Sequence, residues 1–194
     1  MSQQSRPTRP RDAEATRARL LQAATEEFAA HGIAGARVDR IGAAAGANKA
    51  LIYTYFGNKE QLFDAVMDVH VTRVLDQVPF TPEDLPGYAG RLFDFLLANP
   101  HQLRLATWHR LERSGTGHEP GGLRDSMRQK TEAVAAAQAG GQVPDTLGPE
   151  DLLTFTLALA SAWTPTSPMA PASGRDAREH RDAVVEAVRR LVAG

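Results

Sequence analysis

Lys49, Tyr53, Thr54 and Tyr55 follow closely on Gly46 and set an ammonium and three hydroxyls along one short segment. Groups of this kind meet phosphate oxygens and base edges, so the chemistry they imply is nucleic-acid recognition. Asn48 precedes them and can cap a helix through its side-chain oxygen, and Ala50 completes the candidate DNA-facing set on that helix. Arg37 and Arg40 lie just upstream; Arg40 is placed to meet either phosphate or solvent. Lys59 stands at the start of the next helix, where the macrodipole disfavours a cation and a phosphate partner would account for it.

These residues need a rigid frame. Val38, Ile41 and Ala45 recur at i, i+3 and i+7, giving one apolar face, and Gly46 supplies the backbone freedom to reverse direction. Leu51, Ile52 and Phe56 then form the inward stripe of a second short helix. The pattern predicts a helix-turn-helix. Before it, Asp12 can cap a first helix reaching about Ala30, with Leu21, Ala24 and Phe28 inward and Gly32 as its stop. After it, Asn58 and Gln61 make a variant capping box opening a helix through Leu62, Phe63, Val66, Met67 and His70. Phe28, Ile41, Leu51 and Phe56 read as core. Residues 1–11, with Arg6, Arg9 and Arg11 among prolines and polar residues, read as a flexible basic arm.

Beyond residue 70 the helical spacing continues. Pro79, Pro82 and Pro86 punctuate a connection, Leu92, Phe93, Leu96 and Leu97 mark a helix ending near Pro100, and Leu105, Trp108 and Leu111 are the expected inner face of the next. Two more helices are predicted near Leu123–Ala139 and Pro149–Trp163, and a last one carries Val184, Val188 and Leu191 on one face. Gly-rich and Pro/Ser-rich loops are expected at 114–122 and 164–174. No useful strand-like alternation and no fixed-period repeat interrupts this, so the fold class is all-α.

Composition fits a globular protein and excludes several alternatives. The 194 residues are 42% hydrophobic and 23% charged, enough for a sizeable core. With no cysteine there is neither a disulfide nor a thiolate metal site, which suits a reducing cytoplasm. There is no signal-like or membrane-spanning apolar run. Residues 1–60 hold nine Arg/Lys against six Asp/Glu, whereas the remainder holds thirteen against seventeen, so a basic head precedes an acidic body. His101 and His109 share a helical face without acidic or thiol partners, no metal site is expected, and no phosphate loop or nucleophile motif points to an enzyme or a cofactor.

Taken together, Phe28 and Gly32, then Ile41, Ala45 and Gly46, then Lys49, Tyr53, Tyr55, Phe56, Lys59 and Leu62 resemble the TetR (tetracycline repressor-like) family over about residues 12–70. Where that family usually places threonines ahead of the second helix, this chain has Ala36 and Arg37, so a charge would stand in for the hydroxyl. The resemblance implies a DNA-binding domain at 12–57 and a helical regulatory and dimerisation domain at 58–194. It further implies a homodimer on a double-stranded palindromic operator, built through the last two helices, and a body cavity for a small-molecule inducer.

Within the body, Phe93, Trp108, Met127, Phe155 and Trp163 suit a largely apolar ligand, with Arg104, His109 and Thr156 as candidate polar anchors, though the same residues can be core filler. Leu152, Phe155 and Leu159 form one candidate dimer stripe and Val184, Val188 and Leu191 another; both can instead pack within one subunit. The expectation is a transcriptional repressor released by an inducer. Its rivals are a constitutive regulator and a ligand-sequestering helical protein that does not read DNA.

Overall fold

A computed structural model describes residues 10–113, 121–167 and 176–193, and every regular element among them is helical. The order is α1 (Pro10–Gly35), α2 (Val38–Ala45), α3 (Lys49–Phe56), α4 (Lys59–Gln77), a single 3-10 turn (Pro82–Asp84), α5 (Leu85–Ala98), α6 (Pro100–Arg113), α7 (Gly121–Ala139), α8 (Pro149–Ser161) and α9 (Ala177–Leu191). The first helix starts before the expected Asp12 cap because Pro10 occupies its opening turn, where a missing N–H costs no hydrogen bond. Residues 1–9 of the basic arm, 114–120 of the Gly-rich loop and 168–175 of the Pro/Ser-rich loop lie outside the described residues.

The apolar residues gather into two cores. In the first, Leu20, Ala24 and Phe28 of α1 meet Val38 and Ile41 of α2, Ile52 and Phe56 of α3, and Leu62, Phe63, Val66 and Met67 of α4. Phe28 and Phe63 meet edge to face at 5.1 Å, an arrangement that ring quadrupoles favour. Leu105 of α6 is buried in this core too. The second core joins α5, α7, α8 and α9 through Leu85, Tyr88, Phe93, Val134, Leu152, Val184 and Val188. The helix α4 serves both: its first turns belong to the first core, while Val74 packs on the second.

A buried polar junction ties α1, α4 and α6 together. The His70 ring nitrogens lie 2.7 Å from Gln102 Oε1 and 3.3 Å from Thr25 Oγ1. The Gln102 amide also donates to the His70 carbonyl at 3.1 Å. Burial lowers the His70 pKa and so favours the neutral ring, outweighing the Gln102 hydrogen bond that acts in the opposite direction.

Candidate nucleic-acid interface

The turn between α2 and α3 forms because Gly46 sits at φ 62°, ψ 35°, in the left-handed region that L side chains rarely adopt. Gly46 N–H donates to Ala43 O at 3.2 Å and Ala47 N–H to Gly42 O at 2.9 Å, closing the helix end. Asn48 then caps α3 by accepting from Leu51 N–H at 2.9 Å, as the sequence predicts. Asn58 caps α4 likewise from Gln61 N–H at 2.8 Å. Held at both ends, α3 buries Ile52 and Phe56 against α1 and α4.

Its opposite face carries Lys49, Ala50, Tyr53 and Thr54, all exposed. Tyr53 keeps 44% of its surface, which leaves its ring and hydroxyl open to a base or sugar. The Thr54 hydroxyl donates to Ala50 O at 2.9 Å, so its remaining lone pairs and methyl group face outward. Lys49 meets Asp39 at 3.2 Å, and the Asp39 hydrogen bond raises its pKa, but both side chains are largely solvated. Such a pair is weak and yields readily to a phosphate. Arg37 is exposed at the start of α2 and caps nothing with its side chain. Arg17 of α1, which sequence spacing does not single out, lies over the Phe56 ring at 5.4 Å and places another exposed cation beside α3.

Three predicted DNA contacts have other work. Tyr55 is half-buried and packs on the first core, because residues two apart on a helix point to different faces. Arg40 grips Glu27 of α1 with Nε at 2.8 and 3.0 Å from its two oxygens, and its Nη2 donates to Gly35 O at 3.1 Å. Glu27 also accepts from the Arg37 N–H at 2.8 Å. Burial alone would raise the Glu27 pKa, but the Arg40 and Arg37 hydrogen bonds outweigh it and hold the carboxyl below its ordinary value. Lys59 donates to Ala34 O at 3.3 Å and Ala36 O at 3.4 Å. The carbonyls ending α1 therefore explain its position without a phosphate.

The structure does not gather the predicted ligand-binding residues into one cavity. Phe93 is core and only 2% exposed; Thr156 is fully buried and spends its hydroxyl on Leu152 O at 2.7 Å. Phe155 points to solvent, Met127 is half-buried, and Trp163 stacks on His180 at 4.2 Å. His109 is buried with its ring parallel to Phe63 of the first core, at 6.4 Å. Arg104 and Trp108 do share an open groove of about 220 Å³ with Thr107, Leu111, Pro165 and Thr166. Leu111, expected inward, is 70% exposed at its rim.

Arg104 and Trp108 have a more definite partner, the break in α1. Gly32 at φ 70°, ψ −176° interrupts the helix, so Ile33 N–H loses the Ala29 carbonyl it would otherwise meet. Side chains of α6 satisfy both halves. Arg104 Nε and Trp108 Nε1 donate to Ala29 O at 2.8 and 3.3 Å, while Glu112 accepts from Ile33 and Ala34 N–H at 3.1 and 2.7 Å. Arg104, Trp108 and Glu112 recur every four residues, and that spacing was the available sign of one α6 face devoted to α1.

Among the described residues no helix is long and apolar enough to cross a membrane. Residues 20–66 match the model of bacterial regulatory proteins of the tetR family, and residues 84–190 match the tetracyclin repressor-like C-terminal domain. The chain is 41% identical over 189 residues to the HTH-type transcriptional repressor SCO4008 of Streptomyces coelicolor, covering 94% of this chain and 97% of that one. Its head is 40% identical over 60 residues to the transcriptional repressor NicS of Pseudomonas putida, a match to 31% of this chain and 28% of NicS. Its fold superposes on the crystal structure of SCO4942 from Streptomyces coelicolor with a TM-score of 0.80 and 36% identity, covering 92% and 98% of the two chains. The two matched models span the α1–α4 head with its outward α3 face and the body behind it, and the chain belongs to the TetR family of bacterial DNA-binding transcriptional regulators.

Proposed function

We propose that this regulator is a homodimeric repressor that occupies a two-fold symmetric operator through its α3 helices and leaves when a small molecule binds its body. The observation that carries the DNA half is α3, opened by the Asn48 cap and closed by the Gly57 N–H on Tyr53 O, with Lys49, Ala50, Tyr53 and Thr54 outward and Arg17 and Arg37 beside them. Asn48 positions this row, while Arg40, Tyr55 and Lys59 brace the head. The repressor SCO4008, similar along nearly its whole length, favours repression over activation. DNA binding places its action in the cytoplasm. The α6 grip on the broken end of α1 supplies a route for release: a ligand that displaces α6 also displaces the head.

Dimerisation rests on the outer face of α8. Leu152, Val184 and Val188 are buried within the subunit because α8 and α9 both pack on α5, so these three cannot form the stripe expected of them. Leu159 and Leu191 are half-buried at the edge of that core. Phe155 alone of the six is exposed, at 45%, between the exposed Thr154 and Ala158. A phenyl ring flanked by small residues is the anchor of a self-complementary contact. Light scattering at micromolar concentration is expected to give a dimer for the wild type and a monomer for Phe155→Arg, with loss of operator binding in the variant. A Phe155→Arg protein that stays dimeric would remove α8 from the interface.

A further inference from the structure

Lys130 of α7 is buried, 6% exposed, yet its ammonium has no carboxylate within ion-pair distance and no hydrogen bond among the described residues. It rests instead over two rings, 5.9 Å from the centre of Phe80 and 5.7 Å from that of Tyr88. Ring faces replace only part of the hydration that a buried ammonium loses. The acids nearest in sequence do not help, because Asp125 and Glu132 pair with Arg128 on the outer side of α7, at 3.8 and 3.0 Å.

Two further donors share this setting. Ser126 lies one turn before Lys130 on the same face of α7, is 5% exposed, and makes no hydrogen bond among the described residues, not even the usual one to the carbonyl four residues back. Tyr88 is fully buried, and its hydroxyl is the one sealed side-chain polar atom without a partner among the described residues. Its desolvated phenol is pushed up to about 12, so it remains a donor at any physiological pH. Buried polar groups are nearly always satisfied, and a sealed phenol hydroxyl beside a buried ammonium without a counter-charge indicates a missing acceptor, with the Ser126 hydroxyl one turn away on the same helix face.

We propose that Lys130, Ser126 and Tyr88 bind the carboxylate of an apolar organic acid whose body lies against Phe80 and the second core. One ammonium balances a single negative charge, and two neutral donors complete the lone pairs of two oxygens, which fits a carboxylate better than a dianion. The Phe80 and Tyr88 rings, edge to face at 4.8 Å, favour an apolar remainder. The inference rests on the body being a ligand-binding domain, and it names the class of ligand.

The test uses the full-length protein, with octanoate and 4-phenylbutyrate set against the matching amides and amines. Calorimetry is expected to show each acid binding at least about tenfold tighter than its amide, with the amines weakest. Lys130→Met, which keeps the apolar stem, is expected to lose that preference while melting no lower than the wild type, since an unpaired buried charge is removed. Ser126→Ala is expected to weaken the acids about fivefold. Acids that bind no better than amides, no acid binding at all, or an acid preference that survives Lys130→Met would overturn the proposal. Operator release by neutral compounds alone would remove the carboxylate site but leave the inducer reading. An acid bound through Lys130 that leaves the operator occupied would do the reverse.

Discussion

Replacing Gly32 by alanine is expected to cost about 2 to 4 kcal/mol of folding stability, measured by urea or thermal unfolding. Two effects add. The backbone at φ 70°, ψ −176° lies in a region that only glycine occupies readily, worth on the order of 1–3 kcal/mol. A Cβ there would also meet Trp108 at 2.9 Å and run into the Glu112 carboxylate. Moving Glu112 aside strands the Ile33 and Ala34 N–H groups it accepts from. Gly46 provides the control, because it too has positive φ, at 62°, but a Cβ there meets nothing within 4 Å. Gly46→Ala should therefore cost only about 1–2 kcal/mol. Equal costs at the two glycines would show that the α6 grip on α1 contributes nothing.

The double variant Lys49→Ala, Tyr53→Ala is expected to abolish specific operator binding while leaving the fold intact. Neither residue supports the core: Tyr53 is 44% exposed, and the Lys49 pair with Asp39 is solvated on both sides. Removing a base or phosphate interaction costs about 1–3 kcal/mol, and in a dimer every substitution is made twice. Truncating two side chains in each of two heads therefore costs several kcal/mol, a reduction of roughly a thousandfold or more in affinity. Arg40→Ala should behave differently, lowering stability through the freed Glu27 carboxylate more than it lowers affinity. Retained operator affinity in the double variant at moderate salt would mean that α3 does not face DNA.

The head was legible because its signals are local. Gly46, the Asn48 and Asn58 caps and the apolar spacing of Val38, Ile41, Ala45, Ile52 and Phe56 each act within a few residues, and the structure realises each where the sequence puts it. What spacing left open was which exposed polar group finds an internal partner. Arg40 and Lys59 look free in sequence but are claimed by Glu27 and by the carbonyls ending α1, between 13 and 25 residues away.

The body was harder for the same reason. A stripe such as Val184, Val188 and Leu191 states that a face is buried, not whether α5 or a second subunit covers it. The residues expected to line a cavity are divided among the first core (His109), the second core (Phe93, Trp163), the α1 junction (Trp108) and the surface (Phe155). That division depends on long-range packing. Conversely, Lys130 gives no signal in the sequence, since a lone lysine on a polar-looking helix carries no sign of burial until α7 meets Phe80 and Tyr88.

Two copies of this chain are expected to read a symmetric operator through α3, which can be checked by selecting bound sequences from random duplex DNA with the full-length protein and footprinting the product. The expected product is a palindrome whose half-sites are protected in successive major grooves, about 34 to 36 Å apart or a multiple of that, with protection abolished in the Lys49→Ala, Tyr53→Ala variant. Recovery of no common sequence, or of a single unpaired half-site bound by a monomer, would contradict it.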